Sequence, residues 1–139
     1  MEKRMAPLVW TVLFLLSGAC NSETDLGIFD ASGDIGKVGK AGSVRFNASD
    51  STYTVTGSGT NMWFDSDQFQ YIWKQESGDI TIAADIEWAG EGTDPHRKAC
   101  LIIRQDLDTS SVYVDAALHG DRLTSIQYRR TPGDITREI

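Results

Sequence analysis

Strict alternation of apolar and polar positions marks residues 79–88 as the clearest β-strand of the chain. Ile82 and Ile86 fall on one side of this segment, whereas Thr81 and Asp85 fall on the other. Successive side chains of a strand point to opposite faces, so this pattern is typical of a strand with one face on a core and one in water. The sequence therefore predicts that the isoleucines are buried.

Shorter runs of the same kind follow one another closely along the chain. They predict further strands at residues 44–47, 53–57, 69–74, 98–105, 112–119 and 123–130, with a short first strand at 28–29. The glycine-rich stretch 33–42 is expected to be a loop, and turn residues separate the other runs. No stretch past residue 20 has the period of an amphipathic helix. Many short strands separated by turns predict an all-β, antiparallel β-sandwich.

The predicted strand 112–119 divides into an apolar and a polar set. The apolar set is expected to face the core and consists of Val112, Val114, Ala116 and Leu118. Tyr113, Asp115 and His119 alternate with it and are expected on the opposite, outward face.

The first nineteen residues have the pattern of an export signal. Lys3 and Arg4 form a basic start, and the apolar run 6–16 is shorter than the roughly 20 residues needed to span a bilayer. Small residues then precede Cys20. The sequence predicts a signal peptide over 1–19, a polar tether over 20–27 and one domain over 28–139.

The fate of Cys20 has three readings. The segment 16–20 (LSGAC) resembles a bacterial lipobox, which predicts acylation of Cys20 and a membrane-anchored lipoprotein of the bacterial envelope. Ordinary signal cleavage would instead give a periplasmic or secreted protein and permit a Cys20–Cys100 disulfide in an oxidising compartment. An uncleaved anchor is the third. In each case Cys100 lies within an apolar run and is expected to be a buried small side chain.

The charge balance and the motifs limit the classes of ligand and cofactor that the chain is expected to bind. The 139 residues carry 13 Lys+Arg against 20 Asp+Glu, a formal net charge of −7, which argues against a nucleic-acid partner because phosphate binding needs clustered cations. No resident metal or other cofactor is expected. Asp65 and Asp67 have the spacing of a calcium loop without its glycine or final glutamate, so a structural calcium ion is only an alternative.

Eight segments together resemble one domain family. They are 57–63 (GSGTNMW), 69–74 (FQYIWK), 78–81 (GDIT), 94–99 (DPHRKA), 101–105 (LIIRQ), 113–116 (YVDA), 119–121 (HGD) and 123–129 (LTSIQYR). In these segments the chain resembles the concanavalin A-like lectin/glucanase superfamily, and within it bacterial domains labelled TolB-like or "biopolymer transporter TolR". The resemblance covers nearly the whole chain after the signal.

That resemblance implies a jelly-roll β-sandwich. Members of the superfamily are typically longer, so the resemblance also implies a C-terminally shortened domain. Some relatives carry a TolB-type β-propeller, which makes a propeller-containing protein an expected partner. Nothing in the sequence supports the transporter label.

Asp85 and Glu87 are the candidate catalytic pair. At positions i and i+2 of a strand they would share a face, about 7 Å apart at Cα, and retaining glycosidases hold two carboxyl groups about 5–5.5 Å apart. The glucanases of the superfamily have a third acidic residue two positions earlier, where this chain has Ala83. A glycoside-acting enzyme is therefore the alternative interpretation.

A set of polar and aromatic side chains forms the candidate binding site. Its members are Trp63, Trp73, Arg104, Tyr113, Asp115, His119, Gln127 and Arg129. If their strands pair, the polar members would meet on one sheet, where hydroxyl-bearing ligands find hydrogen-bond partners and aromatic rings stack on sugars. The sequence thus favours a non-catalytic exported module that binds a carbohydrate or another envelope ligand. A domain that docks on a propeller protein is a further alternative.

Overall fold

The computed structural model describes residues 24–92 and 94–139, which form an all-β protein. Its strands are β1 (Ala31–Ile35), β2 (Ser43–Asn47), β3 (Thr52–Thr56), β4 (Phe69–Trp73), β5 (Lys98–Arg104), β6 (Tyr113–His119), β7 (Thr124–Arg129) and β8 (Arg137–Glu138). Within these ranges there is no helix, and so none that could cross a membrane. The predicted signal peptide and Cys20 lie outside the described residues.

Three antiparallel sheets make up the fold. β1 pairs with β4, β2 pairs with β3, and the largest sheet has the order β5-β6-β7-β8. The all-β antiparallel class is thereby confirmed. The third sheet positions the candidate site, because its consecutive strands bring the polar residues of β5, β6 and β7 side by side.

Six of the predicted strands are confirmed as β2 to β7, with ends that differ by one residue or less at most positions. The predicted strand at 28–29 is wrong. A turn occupies this point, where the Phe29 amide donates to the Leu26 carbonyl (3.1 Å) and Gly27 has a φ of 60°. The first strand starts later and extends into the stretch 33–42 that was expected to be a loop, because Ala31–Ile35 finds a partner in β4.

The strand predicted at 79–88 is also wrong. No strand is formed there, and Ile82, expected in the core, is 44% exposed. Alternation specifies which side chains share a face, but a strand also needs a neighbour that accepts its backbone hydrogen bonds. In the described part of the chain, residues 79–88 pair with no strand, although the outer edge of β5 is unpaired in its sheet.

The two faces of β6 are reversed relative to the sequence prediction. Tyr113, Asp115 and His119 are buried at 2–3% exposure, whereas Val114 on the predicted core face is 43% exposed. Burial of polar groups is tolerable only when hydrogen bonds replace those made to water. The explanation therefore lies in the contacts that this face makes.

The segment 61–67, between β3 and β4, covers the polar side of the large sheet. The hydroxyl of Tyr113 donates to the Met62 carbonyl (2.6 Å), and the Thr136 amide donates to the Trp63 carbonyl (2.8 Å). Asp67 is completely buried there. We call residues 61–67 the covering segment. Its carbonyl groups and the Asp67 carboxylate accept hydrogen bonds from polar side chains of the sheet.

Candidate functional site

Strand register places the polar candidates on one face of the large sheet. Arg104 and Arg129 lie on either side of Tyr113, Gln127 lies opposite Asp115, and Lys98 lies opposite His119. The structure thus brings these groups together on one sheet. We call this surface the polar face; it consists of Lys98, Arg104, Tyr113, Asp115, His119, Gln127 and Arg129.

Arg129 is the centre of the closed end of the polar face. Its guanidinium forms two bonds to the Asp67 carboxylate (2.9 and 2.7 Å), and both side chains are fully buried. The remaining donors go to the carbonyls of Ser111 (3.1 Å), Asp134 (2.7 Å) and Phe64. All five N–H donors are therefore used, which leaves none for a ligand.

Arg104 and Tyr113 are similarly occupied. Arg104 Nη1 lies 3.4 Å from Asp67 Oδ2, and its other nitrogens donate to the Asp106 (2.7 Å) and Asp108 carbonyls. The Tyr113 hydroxyl also lies 2.6 Å from Thr136 Oγ1, and burial raises its pKa to about 12. This end of the face is a completed hydrogen-bond network whose role is structural.

Asp115 differs from its neighbours because its carboxylate has no partner. The residue is 2% exposed, and neither oxygen accepts a hydrogen bond from the described residues. Burial raises the pKa of Asp115 to about 6, although the nearby Cys100 thiol and Lys98 ammonium favour the charged form. Burial also raises the pKa of the Cys100 thiol, so this cysteine is a poor nucleophile.

The opposite end of the polar face is open. Lys98 Nζ donates to Asn61 Oδ1 (3.1 Å) and Gln127 Oε1 (3.2 Å), and it lies 5.3 Å from the centroid of the Trp63 ring. Lys98 and Trp63 are half-buried, and Asn61 is exposed. We call Asn61, Trp63 and Lys98 the open cluster; it combines an aromatic surface, a cation and an amide, and the fully buried Gln127 fixes the position of Lys98.

Two candidates lie apart from the open cluster. Trp73 belongs to β4, pairs with Ala31 of β1 and stacks on Tyr71 (5.4 Å between centroids). His119 is buried, and its Nδ1 lies 3.1 Å from the Leu123 carbonyl across the β6–β7 turn. His119 therefore closes a turn, and Trp73 packs within another sheet.

Asp85 and Glu87 lie on the segment where no strand forms, and both are exposed. The shared strand face on which the catalytic interpretation depends is therefore absent. Asp67 forms ion pairs with Arg129 and Arg104, and the described residues contain no cluster of three His, Cys, Asp or Glu suited to a metal.

Sequence reasoning missed Lys98, Asn61 and Glu138 as neighbours of Gln127. The Gln127 amide nitrogen donates to Ser125 Oγ (3.1 Å) and lies 3.5 Å from Glu138 Oε2. Lys98 could have been found from the sequence, because it alternates with Cys100 along β5. Asn61 and Glu138 could not, because the fold of the covering segment and the pairing of β8 bring them here.

Comparison of the chain with protein-family models, with curated proteins and with solved structures finds no match. The class that the structure itself defines is an all-β antiparallel protein with a buried polar sheet face. The concanavalin A-like jelly roll stays a prediction from the sequence.

Proposed function

We propose that the chain is a non-catalytic, exported binding module whose open cluster binds a carbohydrate of the cell envelope. The observation that carries this proposal is the combination of the Trp63 ring with Lys98 and Asn61 at an accessible end of the polar face, where the buried Gln127 fixes Lys98. Sugar C–H faces stack on aromatic rings, and sugar hydroxyls exchange hydrogen bonds with amides and cations.

The closed end of the same face supports the proposal indirectly. Arg129, Tyr113 and Asp67 hold one another and the covering segment in place, so Trp63 and Asn61 are attached to a rigid base. A ligand then meets groups that are already ordered, which lowers the entropic cost of binding. Export and envelope location rest on residues 1–20 of the sequence.

Removal of the Trp63 ring tests the proposal. Glycans that bind the full chain on an array should bind Trp63→Ala about tenfold more weakly in calorimetric titration, because the stacking surface is lost. Phe64→Ala is the matched control, since Phe64 is the adjacent aromatic residue and is 61% exposed. Equal affinity of wild type and Trp63→Ala would place the binding site elsewhere.

The same titrations address the enzyme alternative. An Asp85→Asn, Glu87→Gln double variant should leave glycan binding unchanged, and the wild type should release no reducing sugar. Sugar release that the double variant abolishes would contradict the non-catalytic proposal and favour a hydrolase.

A further inference from the structure

The side of the large sheet opposite the polar face is apolar; residues 84–86, including Asp85, lie beside its Leu101, Ala116 and Ile126, and the next row of the sheet is exposed. One row across the sheet consists of Ile103, Val114, Tyr128 and Arg137, which are direct register partners. Ile103 and Val114 are 44% and 43% exposed, and Ile126 of the adjacent row is 44% exposed. We call this surface the apolar face. Contiguous exposed apolar surface of this kind marks an interaction site.

Two arginines give the apolar face a positive charge. Arg137 belongs to the row just described, and the Arg130 guanidinium lies 5.1 Å from the centroid of the Tyr128 ring. Both are exposed, and neither forms an ion pair with any residue in the described ranges. Ile103, Val114, Tyr128 and Arg130 also line a shallow concavity of about 460 Å³. No acidic side chain lines it.

This charge stands against that of the whole chain, which has a net charge of −7. An acidic protein with a cationic apolar face is repelled from anionic surfaces except through that face. Tyrosine and arginine place an apolar body in a lipid surface and a polar end at the headgroups. We propose that the apolar face rests on an anionic lipid bilayer, with Arg130 and Arg137 at the phosphates.

A second copy of the chain is a poorer occupant. A two-fold partner would present the same face. It would therefore add two more arginines and, at its Arg130–Arg137 end, no carboxylate to pair with them. The sheet measures roughly 20 Å by 20 Å from its strand number and length, which is small against the roughly 800 Å² per partner of a stable interface. The proposal is independent of carbohydrate binding and of acylation at Cys20.

A fluorophore on the apolar face tests the proposal directly. An environment-sensitive dye is attached to Val114→Cys in the full chain carrying Cys20→Ser and Cys100→Ala, because the native Cys100 is only half-buried. Val55→Cys is the matched control, because Val55 is a valine of the β2–β3 sheet with 47% exposure. Each protein is mixed with vesicles of phosphatidylglycerol and phosphatidylcholine, or of phosphatidylcholine alone.

We expect the dye at 114 to gain emission and resist an aqueous quencher on anionic vesicles only, whereas the dye at 55 stays accessible. Arg130→Gln with Arg137→Gln should weaken the anionic-vesicle signal at least tenfold. In flotation of the unlabelled chain, the same pair should lower the ratio of anionic to neutral binding, whereas Lys37→Gln with Lys40→Gln should not.

Three results would overturn the proposal. One is a dye at 114 that stays accessible on vesicles that carry the chain. Another is equal protection at 114 and 55. The last is protection at 114 without vesicles, together with a dimeric mass in light scattering, which would assign the face to a second copy.

Discussion

Replacing Arg129 with alanine is expected to lower the free energy of unfolding by about 3–5 kcal/mol. Arg129 and Asp67 are both fully buried, and two hydrogen bonds join them. Removal of the guanidinium leaves the Asp67 carboxylate with Arg104 at 3.4 Å as its remaining cation, and leaves three carbonyls without a donor. Domains are stable by about 5–15 kcal/mol, so this loss brings the fold close to its limit.

Urea denaturation followed by circular dichroism measures the effect. Arg130→Ala is the control, because the neighbouring arginine is exposed and its loss should change stability by less than about 0.5 kcal/mol. The double variant Asp67→Leu with Arg129→Met should cost less than the sum of the single changes, since it leaves no Asp67 charge behind. A cost below 1 kcal/mol for Arg129→Ala would mean that the closed end of the polar face is not buried.

Asp115→Asn is expected to stabilise the protein at pH 7 to 8 by about 3 kcal/mol. Burial raises the pKa of Asp115 from 3.8 to about 6 in the folded state. Between pH 3.8 and about 6 the folded state keeps a proton that the unfolded state has lost, so stability falls as the pH rises over this range and is constant above it. Asparagine has the same shape without the charge, so it escapes this loss.

The difference in unfolding free energy between wild type and Asp115→Asn isolates this carboxyl from all the others. It should grow from near zero at pH 4 to its full value above pH 7. A difference that is constant with pH would mean that Asp115 is solvated in the folded protein. Stability of Asp115→Asn below that of the wild type at pH 8 would mean that the charged form has partners.

Period-two alternation located most of the strands because it depends only on which neighbours along the chain share a face. Strands β2 to β7 follow from such runs. Gly78 and Gly90, two of the predicted turn residues, have positive φ values of 87° and 80°. These are local properties. β1 follows instead from its partner β4, which is distant in sequence. β8 has only two residues, too few to show an alternation.

Which face of a strand is buried could not be predicted from polarity. Polar side chains must face water only where the fold offers them no hydrogen-bond partners. On β6, the partners of Tyr113 come from Met62 and Thr136, 51 and 23 residues away along the chain. The bidentate Asp67–Arg129 pair spans 62 residues. Without the fold of the covering segment, the sequence gives no reason to bury Arg129 and expose Val114.

Two adjacent alanines of β6 test most directly the claim that the polar face is inside and the apolar face outside. Ala117 is 3% exposed, whereas its neighbour Ala116 is exposed. Cysteine is introduced at each position in the Cys20→Ser chain, and its labelling by a water-soluble maleimide is compared with that of the urea-unfolded chain. The structure predicts near-unfolded rates at 116 and at least tenfold protection at 117; protection at 116 with free labelling at 117 would contradict it.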